Sequence, residues 1–95
     1  MGTWQTVETM NGLQVTITVH ARPDGSMTQL FAGPGGTEQQ DCSWRFSDGV
    51  LFVRYGDGAS GKGSIDWIDN NQFVLTIIDN GVPAYTGVKR RYRRL

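Results

Sequence analysis

Side chains able to carry acid–base, nucleophilic or metal chemistry are few in this chain: one histidine, His20, one cysteine, Cys42, and nine Asp and Glu spread over 95 residues. A hydrolytic triad needs a nucleophile, a base and an acid to orient it. His20 falls on the polar side of the alternating run Leu13 to Ala21, which reads as an exposed residue. A neighbouring carboxylate such as Asp41 would give it an ion-pair partner, but nothing in the sequence pairs the two. One His and one Cys do not build a structural zinc site, and no run has the spacing of a calcium loop. Cys42 shares its parity with Trp44 and Phe46, the pattern of a buried, inert thiol. Asp41, Asp57, Asp66 and Asp69 could meet across strands as paired carboxylates. Most of them sit in turns, where Asp hydrogen-bonds its own backbone. The chain is therefore read with no catalytic residue, no metal and no cofactor.

Two further stretches invite a chemical reading. Gly56 to Gly63 holds four glycines with Asp57, Ser60 and Lys62, and a Gly-rich loop can cradle a phosphate with its amides. Without a following helix or a Gly-Lys-Ser/Thr order, it reads as a hairpin tip. Lys89, Arg90, Arg91, Arg93 and Arg94 crowd the C-terminus of a chain whose formal net charge is zero. With Tyr92 among them they have the ingredients of a stacking surface for nucleic acid. The rest of the chain is acidic, which disfavours that partner. As a last strand, the run would point alternate cations to opposite faces, solvated or paired with neighbouring Asp and Glu.

The elements that would position these residues are marked by turns. Asn11-Gly12, Pro23-Asp24-Gly25, Gly33-Pro34-Gly35-Gly36, Ser47-Asp48-Gly49, Gly56-Asp57-Gly58, Asp69-Asn70-Asn71 and Asp79-Asn80-Gly81 cut the chain into strand-length pieces. Gly and Asn accept positive φ, and Asp and Ser cap their own turns. The spacing predicts one all-β domain over 1–95, a small up-and-down antiparallel β-barrel of about eight short strands. Leu13, Val15, Ile17, Val19 and Ala21 alternate with polar residues, as do Cys42, Trp44 and Phe46, and Ile65 with Trp67. These are strands with one face in the core. Val50 to Val53 and Phe73 to Ile78 are apolar on both faces, so a partner is expected to cover the outer one. Phe52, Val74 and Ile78 are the candidate residues of that interface, in a homo-oligomer, a dimer, and Ile68 could extend it.

Four Phe, three Trp and three Tyr supply much of the apolar area of a domain this small. A single cysteine allows no internal disulfide, which fits a reducing, cytoplasmic compartment and leaves a mature secreted or periplasmic form open. No stretch approaches the roughly 20 apolar residues of a membrane span, and the first residues lack the pattern of a signal peptide.

Gly2-Thr3-Trp4 at the start of the first strand, with Tyr92-Arg93-Arg94 closing the last, resembles the calycin superfamily, and within it the short bacterial lipocalin-like domains. Ile17 to Val19 running into Pro23-Asp24-Gly25, Trp44 before Ser47-Asp48-Gly49, and the Phe73 strand after Asp69-Asn70-Asn71 resemble the same group. The resemblance implies that the Trp4 indole lies across the closed end of the barrel under an arginine of the last strand. By parity with Tyr92 that arginine is Arg94, with Arg90 the alternative. Such a contact is a cation–π pair.

Eight strands enclose either packed side chains or one small ligand. The leading expectation is a non-enzymatic barrel that binds a small apolar molecule inside. Val15, Ile17, Val19, Trp44, Phe46, Ile65 and Trp67 would line it, and Tyr55, Tyr85 or Tyr92 would offer a hydroxyl. The alternative is a self-associating interaction module with a filled barrel and no ligand.

Overall fold

Turn chemistry sets the strand boundaries. The computed structural model describes residues 2–10, 12–81 and 85–95. Eight strands follow one another: β1 (Gly2–Met10), β2 (Leu13–Ala21), β3 (Ser26–Gly33), β4 (Gly36–Ser47), β5 (Val50–Tyr55), β6 (Ser60–Asp69), β7 (Gln72–Asp79) and β8 (Lys89–Arg94). Each pairs antiparallel with the next, and β8 returns to β1 through Trp4↔Arg94 and Gln5↔Arg93, closing the barrel in sequence order. The protein is all-β, and no α-helix occurs among the described residues.

The β4–β5 hairpin turns on Asp48 and Gly49, with φ of 52° and 78°. Two consecutive positive φ angles give the primed turn whose twist matches that of paired strands. At four other turns an aspartate accepts a hydrogen bond from the backbone N–H two residues on: Asp24 from Ser26 (2.8 Å), Asp57 from Ala59 (2.9 Å), Asp69 from Asn71 (2.7 Å) and Asp79 from Gly81 (2.9 Å). Asp57 and Asp69 thus have the backbone role expected of turn carboxylates.

Two boundaries differ from the sequence reading. The Gly-rich tip is only Gly56 to Ala59, because Ser60 to Gly63 pair with β5 and belong to β6. Asp79-Asn80-Gly81 opens a nine-residue connection, 80–88, instead of a tight hairpin. Its far side is tied back where Ile77 donates to the Val88 carbonyl (2.9 Å) and Gly87 to that of Ile77 (2.7 Å). Asn11, half of the first expected turn, lies outside the described residues.

Alternation decides what the barrel holds. Trp4, Thr6 and Glu8 of β1 face in, and Ile17, opposite Thr6 and Phe31, is 2% exposed. Trp4, Phe73 and Tyr92 form the densest packing, with Val19, Ile65 and Leu75 against them. The Trp4 ring meets Phe73 and Trp67 edge-on at 4.9 and 5.5 Å, and Phe73 stacks on Tyr92 at 5.1 Å. Such aromatic contacts add to the area they bury.

The two doubly apolar strands send Leu51 and Val53, and Phe73, Leu75 and Ile77, inward. Their other faces do not make one apolar patch. Lys62 lies between Phe52 and Asp79 across the strands, Ser64 lies beside Thr76, and Asp66 lies beside Val74. Phe52 is half-buried beneath the Arg45 guanidinium, 4.7 Å from its ring centre, whereas Ile78 and Ile68 are exposed beside irregularities in the β6–β7 register.

Candidate functional site

The inward side chains leave a cavity of about 440 Å³. Its wall is almost wholly apolar and includes all three tryptophans, Trp4, Trp44 and Trp67. The meander places the termini and the β2–β3, β4–β5 and β6–β7 turns at one end of the barrel. Phe46 and Trp67 line the cavity next to those turns and are 44% and 53% exposed, so they flank its mouth. Trp44 is held in the wall by its indole N–H, which donates to the carbonyls of Arg22 (3.0 Å) and Ser26 (3.1 Å).

At the same end Arg94 lies over Trp4, its guanidinium carbon 4.3 Å from the ring centre. Its Nη2 donates to the Asn70 carbonyl (3.1 Å), and the Arg94 N–H to that of Asn71 (2.7 Å), which joins the C-terminus to the β6–β7 turn. Arg94 is thus the arginine that meets Trp4, as parity suggests. The expected seal is partial, because Phe46 and Trp67 stay exposed beside it.

Deeper in, the wall changes character. Arg90 reaches the cavity, and its Nε lies 2.9 Å from Glu8 Oε2. The two side chains are only 16% and 18% exposed. Neither of these atoms has an aligned hydrogen-bond partner among the described residues, so the contact is one of charge without hydrogen-bond geometry. Tyr92 interacts with Arg90, and Gln29, another cavity residue, with Tyr55. A polar layer therefore ends an apolar chamber.

Of the ten residues expected to line the interior, Ile17, Val19, Trp44, Phe46, Ile65, Trp67 and Tyr92 lie in the cavity wall. Val15, Tyr55 and Tyr85 do not. Val15 pairs with Glu8, at the level of the polar layer, while Tyr55 adjoins the β5–β6 turn and Tyr85 the β7–β8 connection, at the far end. The sequence reading missed Glu8, Arg90 and Gln29 as interior groups. Only the parity that Arg90 shares with Tyr92, and Glu8 with Trp4, pointed that way.

The other chemical candidates are dispersed. His20 Nδ1 lies 2.9 Å from the Thr3 hydroxyl, and Asp41 instead accepts from Thr28 and Gln39. Cys42 is half-buried opposite Tyr55 and Met27, and burial, with the Asp41 charge second, pushes its thiol pKa up. Among the described residues no three His, Cys, Asp or Glu converge on a point. No helix among the described residues is long and apolar enough to cross a membrane. A second concavity, about 550 Å³, lies on the outer face of β4 to β6 among Arg45, Phe52, Arg54, Lys62 and Asp79. It is open and mainly polar, with charges of both signs.

Burial raises the pKa of Tyr92, partly offset by the Arg90 charge, and burial raises that of Tyr55 as well. A phenol is neutral when protonated, so a raised folded-state pKa means that folding favours the neutral ring. That contribution is complete below the ordinary tyrosine value of about 10 and is lost as pH climbs through the folded-state value. Denaturant midpoints are therefore expected to fall above pH ~10, with a shallower fall in Tyr92→Phe. Measured in a Cys42→Ser background, which removes the thiol's own alkaline titration, an unchanged slope in Tyr92→Phe would refute this account.

The fold and the site together define a closed eight-stranded meander barrel with an apolar chamber, open beside a Trp–Arg contact. Comparison with known proteins finds no family model and no curated sequence that matches the chain.

Proposed function

We propose that this is a non-enzymatic, lipocalin-like barrel that binds one small apolar molecule in its interior. The observation that carries the reading is the chamber of about 440 Å³, walled by apolar and aromatic side chains with a few polar groups at its inner end. That composition is typical of small-molecule sites. At about 30 Å³ per non-hydrogen atom, the share of liquid volume a water takes, the space holds roughly fifteen such atoms. Trp4, Trp44, Ile65, Trp67 and Phe73 would surround the ligand, and the mouth between Phe46 and Trp67 would admit it.

Native mass spectrometry of gently purified protein, repeated after denaturation, tests the reading. The expected result is a discrete adduct that denaturation removes, or, where purification strips it, a saturable change in tryptophan emission on titration with butylbenzene. The absence of both the adduct and the saturable change would overturn the proposal. A dimer without adduct would then favour self-association through the outer strands.

A further inference from the structure

The inner end of the chamber constrains what can lie there. Apolar walls favour any greasy molecule of the right size, so specificity must come from the few polar groups. These are Gln29 and Arg90 in the wall, with Tyr92 beside Arg90 and Glu8 behind it. A guanidinium facing an apolar chamber would by itself select an anion. Here its charge is already compensated, because Glu8 Oε2 sits 2.9 Å from Arg90 Nε and both side chains are largely buried. A second carboxylate would have to lose its water and lie near Glu8 with no unpaired cation to receive it. An ammonium would face Arg90 in the same way.

The pair is nevertheless under-satisfied. Glu8 Oε2 and Arg90 Nε are shielded from solvent and make no aligned hydrogen bond among the described residues. A buried ion pair is stabilised when further hydrogen bonds reach the remaining donors and acceptors. Arg90 retains donors beyond Nε, and Gln29 offers both a donor and an acceptor. An uncharged hydrogen-bonding group arriving from the chamber would pair with these two wall residues, Arg90 and Gln29, without disturbing the charge balance of the pair behind them.

We infer that the ligand is an uncharged amphiphile, an alcohol or a group of similar hydrogen-bonding chemistry on an apolar body, with its polar end against Arg90 and Gln29, and that Glu8 excludes carboxylates. This rests on the interior-binding reading. The apolar body lies among Trp4, Trp44, Trp67 and Phe73, and the polar end is the deepest part to enter. Glu8 acts through Arg90, so it is a positioning and selectivity residue.

The test uses 1-decanol, decanoate, decylammonium and butylbenzene, titrated near neutral pH against the full chain and read by tryptophan emission and calorimetry. In the wild type, 1-decanol is expected to bind about tenfold or more tighter than either ion, and tighter than butylbenzene. Glu8→Gln leaves Arg90 uncompensated, so decanoate should gain about tenfold or more relative to 1-decanol; Arg90→Gln should do the same for decylammonium. A selectivity swap is a readout that a merely structural role would not move. Should either single variant fail to fold, Glu8→Met with Arg90→Met removes both charges together, a change that buried ion pairs often tolerate. In that double variant the advantage of 1-decanol over butylbenzene should collapse. If butylbenzene binds but the head groups are ranked alike in wild type and variants, the inference is overturned and the apolar chamber stands. If none of the four probes binds, the interior-binding reading fails and takes the inference with it.

Discussion

Trp4→Ala is expected to destabilise the barrel by about 3–5 kcal/mol, the range for truncating a buried large aromatic. Domains of this size have roughly 5–15 kcal/mol in all, and each kcal/mol is about 4–8 °C of Tm. A fall of some 12–40 °C therefore follows, enough to unfold a marginal domain near physiological temperature. Three contacts converge on this ring: Phe73 at 4.9 Å, Trp67 at 5.5 Å and the Arg94 guanidinium at 4.3 Å. The relative size of the contributions can be separated. Trp4 is 4% exposed, whereas Arg94 is exposed, so burial should outweigh the cation–π contact, worth about 0.5–1 kcal/mol at such a site. Arg94→Met should accordingly cost far less than Trp4→Ala, and the two in a double-mutant cycle should couple by about 0.5–1 kcal/mol. Thermal and urea melts of the three variants decide it. A Trp4→Ala loss below about 1 kcal/mol would mean that the indole is not packed at the hub of this core.

The parts of this architecture legible in the sequence are those decided over a few residues. Asp48-Gly49 and the aspartates at 24, 57 and 69 mark turns because each acts on its own backbone within two residues. The inward set of β2 is legible from Val15 to Ala21 because one parity is apolar and the other polar, whereas Leu13, of the same parity, is exposed where the strand starts beside the Gly12 turn. The Trp4–Arg94 contact follows from parity along β8 once the last strand is taken to close on the first. In β5 and β7 both parities are apolar, so alternation does not say which face is inside. The neighbours do, through Phe73 against Tyr92 and Leu51 against Gly63.

Depth along the barrel was not legible either. Parity puts Val15 and Tyr55 on the inner side, but whether an inner residue meets the chamber or lies beyond it depends on the stagger between strands far apart in sequence. The Glu8–Arg90 pair was hidden for the same reason. It forms across the β1–β8 seam, between residues near opposite ends of the chain. In its local context, Thr6-Val7-Glu8-Thr9, Glu8 looks like one polar residue in a polar stretch. The residues that would set ligand preference are thus those whose positions depend most on closure of the whole barrel.

The second large effect is expected at Gly63, and it links stability to the chamber. Gly63 is buried on the inner parity of β6, between Leu51 and Ile77, next to the register shift at Lys62/Gly63. A Cβ there would lie 2.6 Å from Leu75 Cδ1 and 3.0 Å from the Thr76 carbonyl oxygen. These two obstacles differ. Leu75 lines the cavity and can turn into it, whereas the Thr76 carbonyl belongs to the adjoining strand and yields only if β7 moves. Overpacking of this kind typically costs 1–3 kcal/mol and more for a branched side chain, so Gly63→Ala is expected near that range and Gly63→Val above it. Leu75→Ala alone should cost about 2–5 kcal/mol as a cavity-forming truncation. Combined with Gly63→Ala, it removes the nearest clashing atom, so the pair should cost less than the sum by about 0.5–3 kcal/mol. Butylbenzene affinity gives a second reading of the same geometry. In Gly63→Ala the displaced Leu75 occupies chamber volume and weakens binding, and Leu75→Ala restores it in the double variant. Strict additivity in stability, with binding unaltered in Gly63→Ala, would show that Leu75 does not stand between this glycine and the chamber.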